Sequence, residues 1–130
     1  VLGALLDLVM PAACAACGES EERLSWEVCG RCAAAVDRLR AGPTRPTPAP
    51  DGLPPCFALG EYGGELRELI IGYKDRGRHR LAHPLGALLA EVVATALPGD
   101  GPVLVLFVPD TGAAARERYG DHMRRLARAA

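Results

Sequence analysis

Cys14-Ala-Ala-Cys17-Gly-Glu-Ser-Glu-Glu-Arg-Leu-Ser-Trp-Glu-Val-Cys29-Gly-Arg-Cys32 is the stretch that decides how this chain begins to fold. Two Cys-x-x-Cys pairs stand eleven residues apart. Each pair offers two thiolates on one short piece of backbone, and two pairs complete a tetrahedral shell for zinc. Gly18 after the first pair and Gly30 inside the second are expected to serve tight turns. Four thiolates close the shell and leave no position for substrate, so Cys14, Cys17, Cys29 and Cys32 are read as a structural zinc site. So small a segment has little core, and metal binding would supply about 10 kcal/mol or more of its folding free energy. The competing readings are two disulfides or a thioredoxin-like redox pair. Disulfides belong to exported chains, and a thioredoxin-like pair belongs to a βαβ context that the surrounding sequence lacks. Cys56, the fifth cysteine, is expected in a buried strand and outside the ligand set. Trp26 is expected to pack over the ribbon between the knuckles.

Upstream, Leu2, Leu5, Leu6 and Val9 have helical spacing, and Pro11 ends the pattern. This start lacks a basic region, is interrupted by Asp7, and is not expected to be an export signal. No apolar run approaches the roughly 18 residues of a membrane span. The expected location is therefore cytoplasmic, with no membrane partner. Downstream, Ala33–Leu39 suits a short helix. Residues 1–40 are read as a zinc ribbon with short flanking helices.

Residues 41–55 carry six of the eleven prolines and are read as a linker, unable to hold a helix or central strand. Residues 56–130 are read as the N-terminal part of a second domain. Phe57–Tyr62 suits a strand. Leu66, Leu69, Ile70 and Tyr73 form one face of an amphipathic helix that Gly77 is placed to cap. Pro84 opens the next helix, whose expected buried stripe is Leu85, Leu88, Leu89, Val92, Val93 and Ala96. Val103–Val108 is a continuous apolar run, the pattern of a strand covered on both faces in a parallel sheet. Asp121 is placed to cap a last helix carrying Met123 and Leu126. The order indicates an α/β fold class.

The net charge of −1 gives no whole-chain argument for nucleic acid. Two local features bear on ligands. Pro109, Asp110, Thr111 and Gly112 leave the apolar run at the place where open α/β sheets bind ligands. Arg116 and Arg118 follow and are candidates to pair with phosphate oxygens, though a plain strand exit gives the same pattern. Lys74, Arg76, Arg78, His79 and Arg80 form a basic run, read either as a solvated helix end or as part of a substrate site. His83 and His122 are expected at the surface or at caps. No nucleophile triad is visible, and catalytic residues stay unassigned.

Together these motifs resemble the ComF family. The resemblance rests on the paired cysteines, Gly60-Glu-Tyr-Gly-Gly64, Tyr73-Lys-Asp-Arg-Gly77, the exit Val108-Pro109 and Arg116-x-Arg118-Tyr-Gly-Asp-His122, and it covers essentially the whole chain. It implies a zinc ribbon joined to a type I phosphoribosyltransferase-like parallel-sheet domain and a link to DNA uptake in competence. It also implies a pyrophosphate loop at 108–112, with Arg116 and Arg118 near the mobile hood. Phosphoribosyl pyrophosphate or another phosphate ligand, and the DNA-uptake machinery, are the implied partners. Magnesium is implied only for a full-length enzyme. Two departures stand out. Where the family has a further cysteine pair, only Cys56 is present. The acidic pair and Thr-Gly turn that hold the ribose phosphate do not occur before Ala130, so this stretch alone is expected to be inactive. The alternative is a zinc-ribbon interaction module binding DNA or a protein partner; a degenerate product with exposed apolar edges is a third reading.

Overall fold

The computed structural model describes residues 12–20, 23–97, 99–117 and 120–130. The expected helix over Leu2–Val9 lies outside them, as does Arg118. The chain folds as two compact units, one drawing on Val1–Arg38 and Gly63–Leu81, the other on Leu39–Tyr62 and Ala82–Ala130.

Among the described residues the first unit contains α1 (Gly30–Val36), α2 (Gly64–Asp75) and a 3-10 turn (His79–Leu81). The expected helix after Cys32 starts earlier than its apolar residues suggest. Cys29 takes the N-cap position, and Cys32 lies in the first turn of α1. Gly30 is therefore a helical residue, which corrects its reading as a turn glycine. Gly18, by contrast, has φ +75°. That left-handed conformation favours glycine and lets the Gly18 N–H donate to the Cys14 carbonyl at 2.9 Å.

The amphipathic reading of 66–73 describes α2 well. Leu66, Leu69 and Tyr73 are buried, and Ile70 is half-buried. Gly72 faces the knuckles, because a Cβ there would lie 3.2 Å from Leu81 and 3.9 Å from Ala15. Gly77, at φ +67°, reverses the chain so that the Arg78 N–H returns to the Gly72 carbonyl at 3.1 Å. The core of this unit is Val28, Val36, Leu66, Leu69, Tyr73 and Leu81 beside the cysteines. Leu69 and Leu81, at 2 % and 0 % exposure, are among the most completely buried side chains. Full burial of such a side chain contributes about 1.5–3 kcal/mol.

In the second unit β1 (Gly42–Thr44) pairs antiparallel with β2 (Cys56–Ala58), setting Gly42 opposite Ala58, Pro43 opposite Phe57 and Thr44 opposite Cys56. Part of the proline-rich stretch thus forms an edge strand, the place in a sheet where proline's missing N–H is tolerated. The strand expected over Phe57–Tyr62 is shorter and begins at Cys56, which is half-buried. Helix α3 (Ala82–Ala96) packs against this ribbon and against α5 (His122–Ala129), while α4 (Gly112–Glu117) joins the loop to α5. Pro84 stands in the first turn of α3, as expected. Its apolar stripe is buried only at Leu85. Leu88, Leu89, Val92 and Val93 are half-covered, and Ala96 is exposed.

Val103–Val108 differs most from expectation. It forms no strand, and its residues are 36–82 % exposed, with Leu104, Leu106 and Val108 at 80 % or more. A run of apolar side chains becomes a central strand only where neighbouring strands accept from its N–H groups and donate to its C=O groups on both edges. Among the described residues the sheet is the two-stranded antiparallel β1–β2 ribbon, so the segment joins no ladder. The observed fold is a mixed α/β arrangement with a small antiparallel sheet and a four-cysteine cluster. Among the described residues, no helix is long and apolar enough to cross a membrane.

Candidate metal centre

Three local devices bring the four cysteines together. The first pair sits on a turn closed by Gly18, with the Cys14 N–H donating to the Glu19 carbonyl at 2.9 Å. Between the pairs, Ser25 and Val28 exchange two backbone hydrogen bonds of 3.0 Å around Trp26 and Glu27. Those two residues have φ +50° and +66°, the double left-handed turn of a tight hairpin. The Ala15 N–H donates to the Glu27 carbonyl at 2.8 Å, fastening this hairpin across the first knuckle. The second pair is carried by the start of α1.

All four Sγ atoms then lie within 4.8 Å of one another. Cys17 Sγ and Cys29 Sγ are 3.9 Å apart. Four sulfurs at about 2.3 Å from a tetrahedral zinc stand about 3.8 Å from each other, so the observed spacing fits the ion. A disulfide would need an S–S distance of about 2.05 Å, and all four cysteines are free thiols. Cys56 is also free, and its Sγ lies 3.4 Å from the Pro54 carbonyl, outside the cluster.

The electrostatics suit a cation. Burial alone would raise the Cys14 thiol, but the N–H groups of Cys17, Cys29 and Ala16 together bring it down to about 6. One of these bonds, from the Cys29 N–H to Cys14 Sγ, is 3.3 Å long. Cys32 is pushed up to about 12, first by burial and then by its hydrogen bonds to Cys29, Cys17 and Cys14. Arg31, fully exposed, is held above its ordinary value first by its hydrogen bond to Cys17 and then by the negative charge of Cys17, Cys29 and Cys32.

Part of the basic run 74–80 belongs to the structure of this unit. Arg78 donates to the Ala13 carbonyl at 2.9 Å, one residue before Cys14. Arg80 stacks over the Trp26 ring, its guanidinium carbon 5.7 Å from the centroid. Trp26 is 44 % exposed and meets this cation instead of packing fully over the ribbon. Arg76 pairs with Glu68 at 3.2 Å. Lys74 is exposed in the last turn of α2, where a cation opposes the helix dipole.

The phosphate-loop candidates lie in the other unit, apart from Lys74 and from Arg118, which is outside the described residues. Pro109 is exposed. Thr111 caps α4: its Oγ1 accepts from the Ala114 N–H at 3.2 Å, and its carbonyl accepts from the Ala115 N–H at 2.9 Å. The Arg116 guanidinium folds back over Gly112, 3.6 Å from where a Cβ would stand. Asp110 is turned to another partner. Its Oδ2 accepts from the His122 backbone N–H at 3.0 Å and also meets the ring Nδ1 of His122. Expected at the surface or at a cap, His122 is instead 8 % exposed and stands first in α5, after the cap Asp121. The pairing spans twelve residues with no local spacing signal, so sequence reasoning had no means of finding it. Asp121 caps α5 as expected, accepting from the Arg124 N–H at 3.0 Å. The structure thus brings Thr111, Gly112 and Arg116 together and commits Asp110 to an internal pair. Comparison of the chain with protein-family models, with curated proteins and with solved structures finds no match.

Proposed function

We propose that this chain is a ComF-like protein of the phosphoribosyltransferase family in which a structural zinc ion holds the first unit together. The carrying observation is the convergence of Cys14, Cys17, Cys29 and Cys32 within 4.8 Å. A four-thiolate shell has no open coordination position, so the ion's work is folding and not catalysis. Such a centre, with free thiols, belongs in a reducing compartment, which supports a cytoplasmic location. The parallel-sheet domain is part of the same proposal, with Val103–Val108 as the strand that flanking strands would complete. Its ligand would be phosphoribosyl pyrophosphate or another phosphate compound. Support for that ligand comes from Arg116 lying over Gly112 beside the Thr111 turn. A role in DNA uptake follows from the family resemblance alone.

The competing reading, an interaction module for DNA or protein, draws on the exposed Arg124 and Arg128 of α5. One experiment separates them. Pyrophosphate and a short DNA duplex are titrated into the zinc-loaded chain by calorimetry, with Arg116→Ala and an Arg124→Ala/Arg128→Ala variant alongside. The proposed function predicts pyrophosphate binding that Arg116→Ala abolishes. Salt-sensitive DNA binding lost in the double variant, without pyrophosphate binding, would replace it with the interaction module.

A further inference from the structure

The four ligands are not equally protected. Cys14, Cys29 and Cys32 are 1–2 % exposed, whereas Cys17 is exposed. Cys17 also opens onto a cleft of about 320 Å³ lined by Ala16, Gly64, Glu65, Arg67 and Glu68. A hydroperoxide is far smaller than this space. Behind the Cys17 sulfur, Cys29 Sγ waits at 3.9 Å. Susceptibility of a cysteine to oxidation follows thiolate character and exposure, and reversible redox sites place a second thiol within reach.

We propose that Cys17 is an oxidation site through which hydroperoxides open the metal centre, with Cys29 as the resolving thiol. In the first step the Cys17 thiolate attacks one peroxide oxygen. An S–O bond forms, the O–O bond breaks, and the sulfur loses two electrons to become a sulfenic acid. The departing hydroxide, or the alkoxide of an organic hydroperoxide, takes a solvent proton and leaves as water or alcohol. In the second step the Cys29 thiolate attacks the Cys17 sulfur. The S–S bond forms, the S–O bond breaks, and the second hydroxide is also released as water. The disulfide withdraws two of the four ligands, leaving Cys14 and Cys32 too few to retain zinc against a chelator. Reduction by a thiol restores the ligand set.

This inference rests on the zinc reading, so metal content is measured first; one zinc per chain before any oxidant establishes that reading independently. The loaded full chain is then treated with hydrogen peroxide beside a chromogenic zinc chelator, with a carbon nucleophile present to trap sulfenic acid, and digested for mass spectrometry. The expected trapped label is on Cys17 at about ten times the level on any other ligand. Without the trap, a Cys17–Cys29 disulfide accumulates at the rate of zinc release. Cys17→His keeps a four-ligand shell of the Cys3His type and should slow the release about tenfold. Label appearing first on Cys14 or Cys32, or an unchanged release rate in Cys17→His, would overturn the proposal. Should that variant fail to load zinc, the labelling order in the native chain decides alone.

Discussion

Replacing Gly86 by alanine places a methyl group where the backbone of α5 already stands. A Cβ at this position would lie 2.6 Å from the carbonyl carbon and Cβ of Ala129 and 2.7 Å from its oxygen. Ordinary contact begins near 3.4 Å, so α5 must retreat by about 0.8 Å along the contact. Two effects oppose each other. Alanine gains about 0.8–1 kcal/mol over glycine in a helix interior, while overpacking of this kind costs about 1–3 kcal/mol. The obstacle is backbone and not a flexible side-chain tip, so the upper part of that range applies and the net loss should be about 1–2 kcal/mol. Helix α5 has only eight residues and buries little besides His122, so it would undock sooner than strain α3. Undocking also withdraws His122 from Asp110 and loosens the turn that carries Thr111 and Gly112. A urea melt followed by circular dichroism measures the loss, and hydrogen exchange across 122–129 localises it. A variant that is more stable by the full helix-propensity gain, with unchanged exchange in α5, would refute the close approach of Gly86 and Ala129.

Asp110→Ala leaves the buried His122 N–H without an acceptor and should cost about 1–3 kcal/mol in the same melt, with faster exchange at the start of α5. An unchanged midpoint would show that the Asp110–His122 pair does not form. Zinc affinity should fall as pH falls, because the metal displaces protons from its thiols. Cys32, pushed up to about 12, releases its proton on binding throughout the neutral range, whereas Cys14, near 6, has already lost its own at pH 7. Below pH 6 Cys14 must be deprotonated as well, so the slope of log affinity against pH should steepen by about one there. Competition with a fluorescent chelator between pH 5 and 8 reads this directly, and a constant slope would contradict the lowered Cys14 thiol.

The four-cysteine cluster was legible because the pattern that builds it is local. Two Cys-x-x-Cys pairs state the number and type of side chains that converge without any tertiary information. The same holds for α2, where Leu66, Leu69, Ile70 and Tyr73 repeat at the helical period, and for the Gly77 and Asp121 caps. What escaped depends on contacts distant in sequence. The Asp110–His122 pair and the approach of Gly86 to Ala129 join residues twelve or more positions apart, and neither leaves a periodic trace. Arg78 was ambiguous between solvent and ligand because its acceptor, the Ala13 carbonyl, lies 65 positions earlier. Gly30 misled for a different reason: a glycine between two cysteines suits a turn, but the second pair instead starts a helix. Val103–Val108 shows the limit of composition. Continuous apolarity marks a segment suited to burial, yet it names neither the strands nor the layers that must bury it.

The central claim is tested most directly by metal analysis and X-ray absorption on the protein purified under reducing conditions. The account predicts one zinc per chain bound by four sulfurs at about 2.3 Å. A metal-free protein that keeps α2 folded, or a bound zinc with nitrogen or oxygen among its ligands, would contradict it.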